Sequence, residues 1–215
     1  NGWGQLGIGN YQDKLVPTPV PGLASGMVAV AAGGLHNCAV SSTGAVKCWG
    51  NNRAGQLGSG TISATPVVSP VAVAGLPAGV MAIAAGVDHT CALTTAGSVH
   101  CWGKNEKGEL GDGTTTPGLA PVAVSGLSSG VVAIAAGLRH TCALDNAGAV
   151  KCWGQGTRID PPGSSTLVHS TVPVPANGLT GTSIAIGSGA YHTCAVKTGG
   201  AVQCCLAHNA LILID

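Results

Sequence analysis

Histidine and cysteine recur together along the chain at spacings that could support chemistry. In residues 89–103 (HTCALTTAGSVHCWG) a histidine lies two positions before a cysteine, and a second cysteine follows ten residues later. His89, Cys91 and Cys101 are residue types that bind zinc, and a cysteine beside a histidine can act as a nucleophile. Two cysteines on either side of a turn can also bond across a β-hairpin.

Repetition of this motif argues against a metal site and against catalysis. The first cysteines of four such pairs are separated by 53, 51 and 52 residues, and each has a histidine two positions before it. A catalytic thiolate needs one activated sulfur beside one oriented base, and no fourth zinc ligand recurs with the set. We therefore expect no metal, no cofactor and no enzymatic activity. The pairs are Cys38 and Cys48, Cys91 and Cys101, Cys142 and Cys152, and Cys194 and Cys204, with Cys205 left over.

Two interpretations of the cysteine pairs stay open. They are cross-strand disulfides, or reduced cysteines that act as small buried hydrophobes. Closing so short a loop restricts the unfolded chain by at most about 3 kcal/mol. Disulfides would indicate an oxidising compartment, and thus an extracellular or cell-surface protein, of a bacterial exported type. No secretory leader is visible before the first repeat.

Composition argues against nucleic-acid binding and membrane insertion. Only 8% of the residues are charged and the net charge is +1, which gives no electrostatic attraction for nucleic acid. Residues 67–87 are uncharged and long enough to span a bilayer, but Pro70 and Pro77 interrupt them. The 35 glycines and the absence of phenylalanine favour short, closely stacked strands.

Each full repeat is interpreted as four strands. In the second repeat these are residues 80–86, HTCAL and SVHCW, followed by a Pro-rich strand like TPVVSPVAV at 65–73. Pairing about Ala96 sets Cys91 opposite Cys101, Ala92 opposite His100, and Leu93 opposite Val99. Antiparallel units of this size are typical of β-propeller blades, with a β-helix or a sandwich as the alternative. We expect a single all-β array over 1–215, with units at roughly 1–26, 27–78, 79–129, 130–180 and 181–215.

The repeated text resembles a known family. AAGxxHTCAL, GxVxCWG and NNRAGQLGSGT (51–61) recur in fixed order and are similar to the regulator of chromosome condensation repeat. The resemblance implies a propeller, commonly seven-bladed, so about four blades would form a partial ring or a fragment of such a propeller. The loop after Trp153 has lost the GQLG text, Cys205 replaces the expected tryptophan, and the last ten residues match nothing.

The fixed residues of the repeat are expected to build the blades. We expect the histidines to pack near blade junctions and to bond to the backbone. Trp49, Trp102 and Trp153 should fill the gaps between blades, on the sheet face opposite the cysteines. GQLGSG (55–60) lacks the lysine and the helix of a phosphate loop and is predicted to be a turn.

Residues that change from unit to unit collect in the first and third connections, which emerge at one end of an antiparallel blade. Tryptophan, tyrosine and arginine are frequent anchors of protein interfaces, although variation alone also fits tolerated surface positions. The predicted partner-binding residues are Trp3, Leu35, Arg53, Asp88, Glu106, Lys107, Arg139 and Tyr191.

The leading functional hypothesis is a non-enzymatic module that binds a protein partner through these loops. The alternatives are guanine-nucleotide exchange on a small GTPase and a structural or surface-adhesion array without a specific partner. Self-association through open blade edges is a further expectation, because unpaired strand edges invite pairing.

Overall fold

The computed structural model describes residues 1–158, 168–176 and 178–206, which form fifteen β-strands. None of the described residues belongs to a helix long and apolar enough to cross a membrane. The strands are β1 (Met27–Ala32), β2 (His36–Ser41), β3 (Val46–Asn52), β4 (Ser63–Ala72), β5 (Val80–Ala85), β6 (His89–Thr94), β7 (Val99–Gly103), β8 (Gly118–Ala123), β9 (Val131–Ala136), β10 (His140–Asp145), β11 (Val150–Arg158), β12 (Val168–Pro175), β13 (Ser183–Ser188), β14 (His192–Lys197) and β15 (Val202–Leu206).

The strands hydrogen-bond in chain order, as propeller blades do. Strands β1–β4, β5–β8 and β9–β12 form three four-stranded antiparallel sheets, and β13–β15 form a three-stranded one. The predicted all-β architecture of about four blades is therefore confirmed. Within the described residues the last blade has three strands, and its third strand, β15, pairs with β14.

The central hairpin of each blade has the register that the sequence predicts. In the second blade Cys91 pairs with Cys101, Ala92 with His100, and Leu93 with Val99. The turn between β6 and β7 closes at Gly97, whose φ of 77° lies in the left-handed region that suits glycine.

The first strands of adjacent blades lie side by side, β5 between β1 and β9, and β13 next to β9. Alanines such as Ala84 and Ala135 are nearly buried there, because the blades converge and leave little room for larger side chains. Met81 and Val132 lie at register irregularities near the start of these strands and are half exposed.

The hydrophobic core lies between blades. Each blade turns one face, here called its leading face, toward the next blade, and its other face, the trailing face, toward the preceding one. In the second blade the leading face contains Cys91, Leu93 and Val99, which pack on Val131 and Trp153 of the third blade. Its trailing face contains Val80, Ala92 and Trp102, which pack on Cys38, Val40 and Val46 of the first blade. Without phenylalanine, tryptophans and disulfides supply much of the buried volume.

Candidate partner-binding face

The first and third connections of each blade lie together at one end of the sheets. The Asn51 amide donates to the Leu35 carbonyl at 2.8 Å, and the Lys104 amide donates to the Asp88 carbonyl at the same distance. The surface formed by these two sets of connections is called the loop face below. The hairpins that join the second and third strands of each blade lie at the opposite end, because the strands are antiparallel.

Trp3 and Arg53 form a contact on the loop face. The Trp3 amide donates to the Gln5 side-chain oxygen at 3.0 Å, which fixes the turn that carries the indole ring. The guanidinium carbon of Arg53 lies 4.7 Å from the centre of that ring, and its Nε donates to the Ala64 carbonyl. Such a cation–π contact contributes roughly 0.5–1 kcal/mol at an exposed site. The pair presents a flat aromatic surface beside a planar cation.

Asp88 is held by the third connection of the preceding blade. Gln56 is fully buried, and its Nε2 donates to Asp88 Oδ1 at 3.1 Å. The Gln56 Oε1 accepts from the Ala54 amide at 2.9 Å. The amide side chain therefore joins its own turn to the first connection of the next blade.

Glu109 occupies the same position one blade later, and Arg139 takes the place of Asp88. Glu109 Oε2 accepts from the Lys107 amide at 2.7 Å, whereas its buried Oε1 has no hydrogen-bond partner among the described residues. Burial raises the pKa of the Glu109 carboxyl, and the positive charges of Arg139 and Lys104 oppose that shift. The charge of the variable residue is thus reversed between Asp88 and Arg139, while the residue that faces it changes from a neutral glutamine to an acidic glutamate.

The other predicted residues lie on the same connections. Glu106 is exposed and pairs with Lys104 at 3.3 Å, and Lys107 is half-buried in the same turn. Leu35 is half-buried in the first connection of the first blade, and Tyr191 is exposed in that of the last blade. The structure brings Trp3 into contact with Arg53 and places Arg139 opposite Glu109, while the remaining predicted residues are spread over successive blades.

Sequence reasoning missed Gln56 and Glu109 because they belong to the fixed GQLG text. A usable signal was present, however. The unit that has glutamate in place of glutamine is followed by a unit with arginine in place of aspartate.

Trp102 and Trp153 close the junctions between blades, as expected, whereas Trp49 lies against the N-terminal segment, where its Nε1 donates to the Gln5 carbonyl at 2.8 Å. Trp102 Nε1 donates to the Gln56 carbonyl and Trp153 Nε1 donates to the Glu109 carbonyl, both at 2.9 Å. A Cβ on Gly58 would lie 2.7 Å from Trp102 Nε1, so only glycine allows this approach. The GQLG segment is the predicted turn, and it also caps the tryptophan of the following blade.

The repeated histidines link each blade to the next one. Their Nε2 atoms contact threonine hydroxyls across the junction, in addition to the expected backbone contact, which the His89 ring makes at His140 of the next blade. The reason is the HTC text, which places a threonine of the next blade opposite each ring. The pairs are His36 and Thr90 at 2.8 Å, His89 and Thr141 at 2.9 Å, and His140 and Thr193 at 3.0 Å.

Burial keeps these histidines neutral. It lowers the pKa of His36 to about 4, of His89 to about 3 and of His140 to about 4. The charges of neighbouring repeat histidines lower the pKa of His89 and His140 further. Rings with such values are structural hydrogen-bonding groups and not general bases that work near neutral pH.

The glycine three positions before each histidine makes room for the ring. A Cβ on Gly86 would overlap the ring of His89 and would lie 2.7 Å from the Gly137 carbonyl of the next blade. The G-x-x-H pattern is therefore a packing requirement of the junction.

The cysteines do not form the zinc site that His89, Cys91 and Cys101 suggested. The structure joins each predicted cysteine pair by a disulfide, with Cα–Cα distances of 4.0 or 4.1 Å. Within the described ranges no group of three or more His, Cys, Asp or Glu side chains is arranged to hold a metal ion. Cys205 is a free, half-buried thiol, and burial raises its pKa.

A shallow hollow of about 230 Å³ opens where the first connections meet. It is lined by the Gly33, Gly86, Gly137 and Gly189 backbones and by small apolar neighbours, with Ser188 as the one polar side chain of that lining. This lining offers no titratable group, so the chemical variety of this end of the molecule lies on the surrounding connections.

Comparison with known families accounts for the repeat. The family described as Regulator of chromosome condensation (RCC1) repeat matches residues 1–40, 43–93 and 96–144, and a second family of the same description matches 27–56, 81–109 and 131–158. The chain belongs to the RCC1 repeat family. The matched segments include three of the four repeat histidines, the GQLG turns and most of the loop face.

RCC1-repeat relatives share the fold over most of this chain. The ultraviolet-B receptor UVR8 of Arabidopsis thaliana is 35% identical over 161 residues, which cover 73% of this chain and 36% of the receptor. The structure of human WBSCR16 has a TM-score of 0.76 at 25% identity, covering 95% of this chain and 55% of that one. Yeast RCC1 (Prp20), solved with bound Kap60, has a TM-score of 0.68 at 25% identity, covering 83% and 43%. The chain spans less than half the length of UVR8 and of the next two curated relatives that it matches.

Proposed function

We propose that this chain is a non-enzymatic protein-interaction module that binds a protein partner through the loop face. The observation that carries the proposal is that fixed and variable positions of the repeat lie in different parts of the structure. The fixed residues of the first three repeats are buried in the blade junctions, whereas the residues that differ between repeats lie on the connections at one end. Recognition residues are commonly carried in this way on loops of a rigid scaffold.

The loop face has the chemistry of a protein-binding surface. Trp3, braced by Arg53, and the exposed Tyr191 are aromatic anchors of the type that dominates interface energetics. Asp88 and Arg139 alternate in charge along successive junctions, which favours a partner with a complementary alternation. Yeast RCC1, a member of the same family, was solved with a protein bound, which supports a binding role for this fold.

The disulfides support an oxidising environment, and we propose an extracellular or cell-surface location on that basis. Four short cross-strand links suit a chain whose core is built from alanine, valine and cysteine. Reduced cysteines in protein isolated under native conditions would contradict this location.

Alanine substitution of the loop face tests the proposal. Trp3, Asp88, Arg139 and Tyr191 are replaced together, and proteins captured from the source organism's extract or culture medium are compared with those captured by the unaltered chain. The matched control replaces Thr43, Thr95 and Asn146, which lie exposed on the hairpins at the opposite end. Loss of the captured protein with the first variant only is expected. Equal capture by both variants would show that the loop face is not the binding surface.

The unaltered chain is also used to distinguish the two alternative functions, guanine-nucleotide exchange and a structural or adhesion array. Release of labelled GDP from a panel of small GTPases would assign guanine-nucleotide exchange and overturn the non-enzymatic proposal. Failure of the unaltered chain to retain any protein would favour a structural or adhesion array.

A further inference from the structure

The contact between the first and second blades at the loop face has a defined hydrogen-bond polarity. Gln56 is the buried residue of the GQLG turn, and its side-chain oxygen accepts from the Ala54 amide of the same turn at 2.9 Å. Its amide nitrogen is therefore the group that faces the next blade, where it donates to Asp88 Oδ1 at 3.1 Å. Because an amide nitrogen is a donor only, this junction requires an acceptor on the next blade.

Glu109 reverses that polarity between the second and third blades. One of its oxygens, Oε2, accepts from the Lys107 amide at 2.7 Å, as the Gln56 oxygen does in its own turn. The other oxygen, Oε1, takes the place of the Gln56 nitrogen and is an acceptor in the ionised carboxyl. It is buried and has no hydrogen-bond partner among the described residues. This junction therefore requires a donor on the next blade.

The backbone places the facing residues of the two junctions alike. The tryptophan of the following blade donates from Nε1 to the Gln56 carbonyl and to the Glu109 carbonyl at the same distance, 2.9 Å. The first amide of the third connection donates to the Asp88 carbonyl and to the Arg139 carbonyl, both at 2.8 Å. Arg139 thus starts from the backbone position that Asp88 has one blade earlier, so the two junctions differ in their side chains.

Arg139 is the donor that suits the free oxygen of Glu109. Arg139 and Lys104 both lower the pKa of the Glu109 carboxyl, but the Lys104 ammonium already pairs with Glu106 at 3.3 Å. The Arg139 side chain is long and half-buried, which leaves it free to turn toward the junction. A buried carboxylate oxygen without a donor is costly, and a contact with the guanidinium removes that cost.

We propose that Glu109 is a positioning residue for Arg139: its Oε1 accepts a hydrogen bond from the Arg139 guanidinium, which in turn binds a carboxylate of the protein partner. The inference rests on the proposed function of the loop face. A guanidinium has five N–H donors in a planar fork, so a contact with Glu109 leaves further donors for a second carboxylate. The buried residue of each turn thereby selects the charge that the next blade presents.

Nitrogen-15 NMR of the arginine side chains tests the positioning without any partner. The arginines of the chain are Arg53, Arg139 and Arg158, so substitution assigns their signals. Glu109→Gln should speed hydrogen exchange of the Arg139 guanidinium by about tenfold or more, because a hydrogen bond to a charged group is lost and the new amide nitrogen is itself a donor. Exchange at Arg53, which donates to the Ala64 carbonyl, is the internal control and should not change.

Folding of this variant is checked by a circular dichroism melt. Glu109→Gln restores the GQLG text that the first junction has at residues 55–58, so the variant is expected to fold. Equal exchange at Arg139 in the unaltered chain and in folded Glu109→Gln would overturn the positioning role.

A random peptide library displayed on phage tests the chemistry of the partner. Peptides retained by the unaltered full chain should be enriched in aspartate and glutamate. The double variant, Arg139→Asp with Glu109→Gln, recreates the glutamine–aspartate pair of the first junction and should retain peptides enriched in lysine and arginine instead. Equal acidic content in the two sets of peptides would show that Arg139 does not bind a carboxylate and would overturn the proposal.

Glu109→Gln alone separates positioning from simple charge. This substitution removes a negative charge, so attraction by net charge alone would strengthen the retention of acidic peptides. Loss of positioning should weaken it instead, and retention that is unchanged or stronger would contradict the role of Glu109. Because the exchange measurement uses no partner, a failure of this positioning is distinguished from a failure of the loop face to capture a protein.

Discussion

Lowering the pH from 7 to 5 should destabilise the blade junctions through their buried histidines. Burial holds the pKa of His36, His89 and His140 at about 4, 3 and 4, against an ordinary value of 6.5. Because these pKa values are lower in the folded state, the unfolded chain binds more protons below pH 6.5. The free energy of unfolding therefore falls as the pH falls, and the loss levels off near the folded pKa values.

The magnitude follows from the size of the shifts. Keeping one ring neutral at pH 5 against an unfolded pKa of 6.5 removes about 2 kcal/mol from the free energy of unfolding, and three rings together remove about 6 kcal/mol. This is comparable to the whole stability of many domains, which is about 5–15 kcal/mol. Glu109 acts in the opposite direction because its pKa is raised, and it offsets part of the loss.

Urea denaturation followed by tryptophan fluorescence at a series of pH values measures the effect. His89→Gln keeps a donor near the Nε2 position and removes the titrating ring, so the loss between pH 7 and pH 5 should shrink by about one third. His192→Gln is the matched control, since His192 has the same place in the repeat but is exposed.

A flat stability profile between pH 7 and pH 5 would refute the reasoning. So would an equal effect of the two glutamine substitutions, because burial at the junction would then not be the cause of the pH dependence.

Three further predictions concern thiols, packing and charge. Alkylation of the native, unreduced protein should label Cys205 alone, and reduction should expose all nine cysteines; labelling of all nine without reductant would show that the pairs are reduced. Gly86→Ala should cost about 2 kcal/mol or more in urea denaturation because its Cβ overlaps the neighbouring histidine ring, whereas Gly187→Ala, which meets no atom within 4 Å, should have a small effect. Arg139→Asp should lower the free energy of unfolding by about 1–3 kcal/mol, because it sets a second negative charge beside Glu109. Adding Glu109→Gln should recover most of that loss by recreating the glutamine–aspartate pair of the previous junction. Additive losses in the double variant would show that the two residues do not interact.

The repeat made the fold readable from the sequence. Spacing between cysteines fixed the hairpin register, and the alternation in residues 80–86 identified the inner strand of the second blade. Trp102 and Trp153 were correctly expected at the junctions. These features follow from local pattern and chain order, which a single sequence contains.

Contacts between blades were harder to predict from the sequence. The partner of His89 is Thr141, 52 residues away, and no local pattern relates the two. Gln56 was missed because it belongs to the fixed GQLG text, although its side chain also reaches Asp88 on the next blade. The zinc-like grouping of His89 with Cys91 and Cys101 is a consequence of strand alternation within one blade. In the structure the histidine ring turns toward the neighbouring blade, and the two cysteines bond to each other.

The backbone approach between successive G-x-x-H segments gives the second and third junctions the same donor and acceptor, and in the first junction the acceptor moves by one residue, with the Gly34 amide donating to the Gly86 carbonyl at 3.1 Å. The Val87 amide donates to the Leu138 carbonyl at 3.1 Å, and the Leu138 amide donates to the Ala190 carbonyl at 2.9 Å. A unit cut between Gly86 and Gly137 thus carries one complete surface of each kind. Gene duplication or excision at these points would lengthen or shorten the molecule by whole blades without creating a new type of joint, so blade number is free to drift in evolution and is available to protein engineering.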